Sequence, residues 1–93
     1  MLKIEIQRAA AKSLQRLPPK HRKQVARKIY GLRENPVPQD SKKLKGTSSA
    51  YRRADIGEYR IIYRVDDDTL RVFLVGKRND MSVYRQFTRM LRG

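Results

Sequence analysis

The chain has no cysteine and no tryptophan, and only nine of its 93 residues are acidic. The absence of cysteine excludes disulfide bonds and thiolate metal sites, which is typical of a reducing cytoplasm. No apolar run is long enough to span a membrane, and charges interrupt residues 1–6 too often for a signal peptide. We therefore expect a cytoplasmic protein of bacterial or archaeal type, with a single domain over residues 1–93.

The few acidic residues stand against 23 lysines and arginines, which give a formal net charge of +14 at pH 7. Self-repulsion of this size destabilises a compact fold, so we expect the charge to serve a partner. An anionic membrane surface, an acidic protein and nucleic acid are the candidates. Nucleic acid is favoured because the charge runs along the whole chain and is rich in arginine, which binds phosphate through two donors.

Hydrophobic spacing predicts an α+β fold. Alternation over residues 2–6 predicts a strand, and apolar residues spaced by three and four predict helices over 8–17 and 19–34. These two helices form a hairpin on one face of a small antiparallel sheet. Residues 41–49 are expected to cross the surface to the sheet, anchored by Leu44.

The second half of the chain predicts a three-strand antiparallel meander. Strands over 50–56, 59–65 and 69–75 are rich in β-branched and aromatic residues and are separated by turn residues. A short C-terminal helix follows residue 84. Asp66, Asp67 and Asp68 are interpreted as the turn between two strands, since they lie too close together to wrap a cation.

Familiar site motifs are missing: the sequence has no glycine-rich phosphate loop and no cluster with metal-ligand spacing, so it predicts no metal and no cofactor. The single histidine, His21, is interpreted as a solvated residue of the second helix. Strand parity places Arg52 on one face of the meander and Arg53 on the other. If Arg52 and Arg60 share the face that the helices leave open, guanidinium groups lie at its centre. On spacing alone, ordinary edge charges explain the pattern equally well.

A series of short motifs covers most of the chain from residue 42 onward. They are L-x-G at 44–46, Y-R at 51–52, G-x-Y-R-x-x-Y at 57–63, an acidic turn at 66–67, G-x-R at 76–78 and V-Y at 83–84. In this order the motifs resemble the RelE toxins of type II toxin–antitoxin systems, and the predicted elements fit the RelE/ParE fold. Each motif alone is weak, but the combination is specific to this superfamily.

The resemblance implies a ribosome-dependent endoribonuclease that cleaves mRNA in the decoding site and inhibits translation. Its active face is expected to be basic, without histidine or glutamate. RelE proteins often carry a second lysine two residues after the first basic residue of the meander, and this chain has Ala54 there. The implied catalytic residues are Arg52, Arg60, Arg78 and Tyr84, and the implied RNA-binding residues are Lys43, Lys45, Arg53 and Lys77.

Such a reaction requires a 2′-hydroxyl to attack the adjacent phosphorus in line with the departing 5′-oxygen. By the resemblance, Arg60 and Arg78 hold the phosphate, Arg52 adds positive charge, and Tyr84 stacks on the substrate. Arginine and tyrosine have reference pKa values above about 12 and near about 10, so they are poor proton carriers near neutrality. Proton transfer is therefore the weakest part of this mechanism.

The resemblance also implies partners: the ribosome, mRNA and an acidic RelB-like antitoxin in a heterodimer or heterotetramer, with no membrane partner. Two alternatives stay open. A ParE-like toxin has the same fold but poisons DNA gyrase and does not need the RNA-cleaving residues. A basic RNA-binding or ribosome-binding module would associate in a salt-sensitive manner without any catalysis.

Overall fold

The structure is a computed structural model that describes residues 1–44, 51–79 and 85–89. Its elements follow the predicted order, so the α+β class, the helical hairpin and the meander are confirmed. Within the described residues, no helix combines the length and the hydrophobicity needed to cross a membrane. The elements are β1 (Lys3–Ile6), α1 (Arg8–Arg16), α2 (Pro19–Glu34), β2 (Ser41–Lys43), β3 (Arg52–Ile56), β4 (Tyr59–Asp66) and β5 (Thr69–Lys77), and residues 85–89 are helical.

The five strands form one sheet in the order β1-β5-β4-β3-β2. Strands β2 to β5 pair antiparallel, whereas β1 pairs parallel with β5, with Ile4 opposite Leu70. Strand β2 was not predicted, because its three polar residues show no hydrophobic alternation. Its pairing with β3, with Ser41 opposite Ala54, gives backbone groups on the facing sides of the two strands their hydrogen-bond partners.

The main core lies between the helices and one face of the sheet. Burying each large apolar side chain there contributes roughly 1.5–3 kcal/mol. Tyr63 is fully buried, and its hydroxyl donates a hydrogen bond to the Pro36 carbonyl oxygen at 2.7 Å, which avoids an unpaired polar group in the core. The core residues are Ala10, Val25, Ile29 and Leu32 from the helices and Ala54, Tyr59, Ile61, Tyr63, Leu70, Val72 and Val75 from the sheet.

The opposite face of the sheet carries a second, smaller core around Phe87, which the helical residues 85–89 supply. Ile62 lies opposite Leu74 and Tyr63 opposite Val72, so β5 holds an extra residue, Phe73, at a bulge. The face that was predicted to be open is therefore covered at one end. The aromatic rings of this second core pack edge to face. The ring centroids of Tyr51 and Phe87 lie 4.9 Å apart, and those of Tyr51 and Phe73 lie 5.2 Å apart.

A tight turn at Gly57 and Glu58 joins β3 to β4 and fixes their register. Gly57 has a φ of +56°, in the left-handed region that side chains disfavour. A Cβ atom at this position would lie 3.1 Å from Nε2 and Oε1 of Gln24 on α2. The turn therefore requires glycine both for its backbone conformation and for its packing against the helix.

Replacing Gly57 by alanine should destabilise the fold by about 1–2 kcal/mol, because the left-handed conformation is strained for alanine. Gly31→Ala is the matched control: it lies in α2, and a Cβ there meets nothing within 4 Å. Helix propensity should make this control about 0.5–1 kcal/mol more stable than the parent. Urea unfolding of the three proteins measures both effects. Equal stability of Gly57→Ala and Gly31→Ala would contradict this account of the turn.

Candidate functional site

The register of β3 and β4 decides which arginines meet. Asp55 lies opposite Arg60, and Arg53 lies opposite Ile62 of the second core, so these charged side chains emerge on the face away from the helices. Arg52 lies opposite Tyr63, which belongs to the helix-covered core. Arg52 and Arg60 therefore lie on opposite faces of the sheet. The sequence analysis expected guanidinium groups at the centre of the open face only if these two residues shared that face, and they do not.

Arg52 is instead held at the edge of the helix-covered face. Its Nη2 donates hydrogen bonds to Ser41 Oγ at 3.0 Å and to the Ser41 carbonyl oxygen at 3.4 Å. The sequence correctly predicted that Arg52 and Arg53 lie on opposite faces of the sheet, but the residue that shares a face with Arg60 is Arg53. Asp55, two positions after Arg53, lies on the same face as Arg53, whereas Ala54 lies in the helix-covered core.

Asp55 lies at the centre of a group that we name the arginine cluster: Arg53, Arg60 and Arg78 around the Asp55 carboxylate. Arg60 Nε donates to Asp55 Oδ1 at 2.7 Å, and Arg60 Nη2 donates to Oδ2 at 3.1 Å. Arg53 Nη1 lies 3.7 Å from Oδ2. The side chains of Arg60 and Asp55 are only 13% and 25% exposed, so this fork-shaped pair is partly shielded from water.

The charges of the arginine cluster change the acidity of Asp55. The hydrogen bonds from Arg60 hold the pKa of the Asp55 carboxyl below its ordinary value of 3.8, although partial burial acts in the opposite direction. The positive charges of Arg60, Arg53 and Arg78 lower that pKa further. All three guanidinium groups thus act on one carboxylate, which stays ionised at neutral pH.

Arg78 follows β5 directly, and its positive charge contributes to the arginine cluster. Its backbone N–H donates to the Glu58 carbonyl oxygen at 2.9 Å, which ties residue 78 to the β3–β4 turn, and its side chain is exposed. Gly76 lies opposite Arg60, so β5 contributes no side chain at that pair. Of the two residues expected to hold a phosphate, Arg60 hydrogen-bonds to the Asp55 carboxylate, whereas Arg78 acts on it through its positive charge.

The other predicted residues lie elsewhere or outside the described residues. Lys43 is exposed and lies opposite Arg52, while Lys42 lies opposite Arg53 on the face of the arginine cluster. Lys77 lies opposite Tyr59 at the exposed end of β5. Tyr84 and Lys45 fall outside the residues that the structure describes.

Two further arginines on this face serve the sheet itself. The guanidinium carbon of Arg64 lies 4.8 Å from the Tyr51 ring centroid, and Arg64 also donates a hydrogen bond to Asp66. Arg71 contacts both Asp66, at 3.0 Å, and Glu5, at 2.7 Å. For these two arginines the interpretation as ordinary strand charges holds, since each has acidic partners close in the sheet.

The interpretation of His21 as a solvated helix residue is wrong. His21 is half-buried, its Nδ1 and the Tyr59 hydroxyl share a hydrogen bond at 2.7 Å, and the two rings meet edge to face. This contact links α2 to β4 on the helix-covered side of the sheet. His21 is thus separated by the sheet from the arginine cluster.

Arg60 holds the carboxylate of Asp55 through two hydrogen bonds, a geometry in which arginine also binds phosphate groups. Over residues 1–44, 51–79 and 85–89, no three histidine or acidic side chains are grouped closely enough to hold a metal ion. Sequence reasoning missed Asp55, although a signal was available. A two-residue turn at 57–58 places Ile56 opposite Tyr59, and so Asp55 opposite Arg60.

Comparison with known proteins identifies the family. The family profile described as the ParE toxin of the type II toxin–antitoxin system parDE matches residues 4–81. The chain belongs to the RelE/ParE superfamily of type II toxin–antitoxin toxins. A Methanocaldococcus jannaschii protein, named as an inferred toxin RelE1, is 35% identical over 80 residues, which cover 81% of this chain and 88% of that relative.

Solved structures agree with this membership. A chain of the RelE–RelB complex from Pyrococcus horikoshii OT3 is 31% identical, with a TM-score of 0.72 over 83% of this chain and 94% of that chain. The isolated RelE toxin of E. coli is 23% identical, with a TM-score of 0.73 over 98% and 99% of the two chains, and shows the shared fold. The resemblance drawn from the motifs is therefore confirmed at the level of the superfamily.

Replacing Arg60 by methionine should raise the pKa of the Asp55 carboxyl, because the carboxylate loses both hydrogen bonds and one neighbouring charge. Carboxyl ¹³C NMR titration measures this pKa directly. Arg71→Met is the matched control, since it removes an equal charge whose acidic partners are Glu5 and Asp66. An Asp55 pKa that moves equally in both variants would contradict the assigned contacts.

The same titration has a consequence for stability. Because folding lowers the pKa of Asp55, its ionised form contributes stability above the unfolded-state pKa of about 3.9, and this contribution is lost as the pH falls through the folded-state pKa. The parent protein should therefore lose more stability than Asp55→Asn when acidified from pH 5 toward pH 2.

Proposed function

We propose that this toxin is a ribosome-dependent endoribonuclease that cleaves mRNA in the cytoplasm and stops translation until an antitoxin neutralises it. The observation that carries the proposal is the arginine cluster, in which Arg60, Arg53 and Arg78 act on one carboxylate. A phosphodiester presents two oxygen atoms and a negative charge in a similar arrangement. The cluster therefore supports the binding of an RNA phosphate on the sheet face away from the helices.

The chemistry expected of this cluster is charge stabilisation. When a 2′-hydroxyl attacks phosphorus, negative charge grows on the phosphoryl oxygens, and fixed guanidinium donors stabilise that charge. Arg60 is the central residue because it is the most shielded from water and its fork is already oriented. Arg78 is exposed and supplies the outer contact. We assign to Arg53 the additional charge that the motif comparison expected from Arg52, and Tyr84 keeps its proposed role in stacking on the substrate.

The ribosome enters the proposal because the site offers few groups for proton transfer. His21, the sole histidine, lies on the other side of the sheet, bonded to Tyr59. A site without an efficient acid should cleave free RNA slowly, and a partner that aligns the 2′-oxygen, phosphorus and 5′-oxygen can supply much of the missing rate. The net charge of +14 favours association with ribosomal RNA.

Poisoning of DNA gyrase is the second candidate function. It is favoured by the match to a profile that carries the ParE name. It is also favoured by Ala54, which stands where RelE proteins often carry a second lysine. Gyrase poisoning requires neither Arg60 nor Arg78 to bind a scissile phosphate, so substitution of these residues separates the two candidates.

Arg60→Ala and Arg78→Ala should each lower mRNA cleavage by about 100-fold, the usual loss when one donor to a developing oxyanion is removed. Cleavage is measured by primer extension on mRNA translated in a purified cell-free system. Arg16→Ala is the matched control: it removes one exposed arginine from the end of α1 and should leave cleavage near the parent rate.

Two results would count against the nuclease. Intact mRNA together with trapped gyrase–DNA complexes would establish the ParE-like alternative. Parent-like cleavage by both Arg60→Ala and Arg78→Ala would show that RNA is cleaved elsewhere on the protein.

The proposed antitoxin is an acidic, RelB-like protein that forms a heterodimer or heterotetramer with the toxin. The support is the charge of this chain and the similar chain that was solved in a RelE–RelB complex. Binding should weaken steeply between 50 and 500 mM salt, because the attraction is largely between opposite charges. Calorimetry with the small acidic protein encoded beside the toxin gene tests this. Affinity that does not change with salt would contradict a charge-driven complex.

A further inference from the structure

The arginine cluster contains one group that can accept a proton at neutral pH, the carboxylate of Asp55. We infer that Asp55 is the general base of RNA cleavage and takes the proton from the attacking 2′-hydroxyl. This inference rests on the proposed function, because it assigns a role within the same reaction. It supplies the proton acceptor that arginine and tyrosine side chains provide poorly.

The geometry of the carboxylate suits this role. Oδ1 accepts a hydrogen bond from Arg60 Nε, and Oδ2 faces both Arg60 Nη2 and Arg53 Nη1. A carboxylate oxygen can accept two hydrogen bonds, so among the described residues Oδ1 keeps one acceptor position. A phosphate held by the same guanidinium groups would bring its neighbouring ribose close to that oxygen. The side chain is 25% exposed, so RNA can reach it.

Binding of substrate should also strengthen the base. In the free protein, the hydrogen bonds from Arg60 on β4 and the positive charges of Arg60, Arg53 on β3 and Arg78 after β5 all favour the ionised carboxylate. A bound phosphate draws hydrogen bonds and positive charge from these arginines and adds its own negative charge. Both effects raise the proton affinity of Asp55 at the time when the 2′-hydroxyl lies beside it.

The atoms and charges of the proposed step balance, and water is the only additional reactant that it needs. The 2′-hydroxyl proton passes to a carboxylate oxygen of Asp55, the 2′-oxygen forms a bond to phosphorus, and the bond between phosphorus and the 5′-oxygen breaks with its electron pair. The departing 5′-oxygen takes a proton from water, and the proton on Asp55 then neutralises the hydroxide left behind. The products are a 2′,3′-cyclic phosphate and a 5′-hydroxyl end.

A simpler role for Asp55 makes the opposite prediction. If the carboxylate only fills the anion site in the free protein, it competes with the phosphate, and removing its charge should improve both RNA binding and cleavage. If Asp55 is the base, removing its charge should keep or improve binding while cleavage falls. Measuring binding and cleavage separately therefore distinguishes a catalytic residue from a competing counter-charge.

The test uses Asp55→Asn in single-turnover cleavage of mRNA on programmed ribosomes. Binding is measured in parallel with mRNA that carries 2′-O-methyl groups and cannot react. Asp55→Asn should lower the cleavage rate by at least about 100-fold, within the range for loss of a general base, with equal or tighter binding. Asp40→Asn is the matched control, since it removes one carboxylate charge from an exposed pair with Lys28 and should cleave at the parent rate.

The outcomes separate the two proposals. If the parent cleaves and Asp55→Asn cleaves as fast or faster, the base assignment is overturned and the proposed function stands. A loss of cleavage that merely follows weaker binding also overturns it. If the parent produces no new mRNA ends, the proposed function fails first. Should Asp55→Asn not fold, Asp55→Ala with added formate decides: restored cleavage supports a missing carboxylate base, and no restoration overturns it.

Discussion

The ion pair between Asp55 and Arg60 across the β3–β4 hairpin is the interaction that organises the candidate site. The two residues lie directly opposite each other, where opposite charges on one sheet face attract. Their register depends on the two-residue turn at Gly57 and Glu58. A slip of one residue would move every side chain of one strand to the other face and separate the pair.

The hydrophobic core enforces that register from the other side. Ala54 and Ile61, which neighbour Asp55 and Arg60 in sequence, lie fully buried under the helices. Because side chains alternate along a strand, burying these two requires Asp55 and Arg60 to point away from the helices. The free energy that fixes the positions of the charged groups therefore comes largely from apolar residues that take no part in binding an anion.

Much of the fold could be predicted because its signals are local. Pro18 and Pro19 separate the helices, α2 begins at Pro19 as expected, and the turns at 57–58 and 67–68 delimit the strands of the meander. Strand β2 could not be predicted in this way, since only its pairing with β3 makes it a strand. The bulge at Phe73 likewise depends on partner strands and leaves no distinct pattern in the sequence.

The candidate site was predicted less completely, because each charged residue was considered singly and not together with its partner on the neighbouring strand. Arg60 and Arg78 were predicted from their motifs, and the positive charges of both lower the pKa of Asp55. Arg52 was preferred to Arg53 because it follows a tyrosine in the motif, although strand pairing puts Arg53 on the relevant face. His21 was taken as solvated because nothing in the sequence places Tyr59 beside it.

An acidic residue in a strongly basic site has a clear electrostatic role. Three guanidinium groups that act at one point repel one another, and partial exclusion of water strengthens that repulsion. The carboxylate of Asp55 offsets it and orients Arg60, so under the proposed function less ordering would be needed when an RNA phosphate binds. The same contact places a proton acceptor among the groups that would hold the phosphate. Under the proposed mechanism, assembly of the arginines and activation of a 2′-hydroxyl would be two consequences of one side chain, and its effects on binding and on cleavage would have opposite signs.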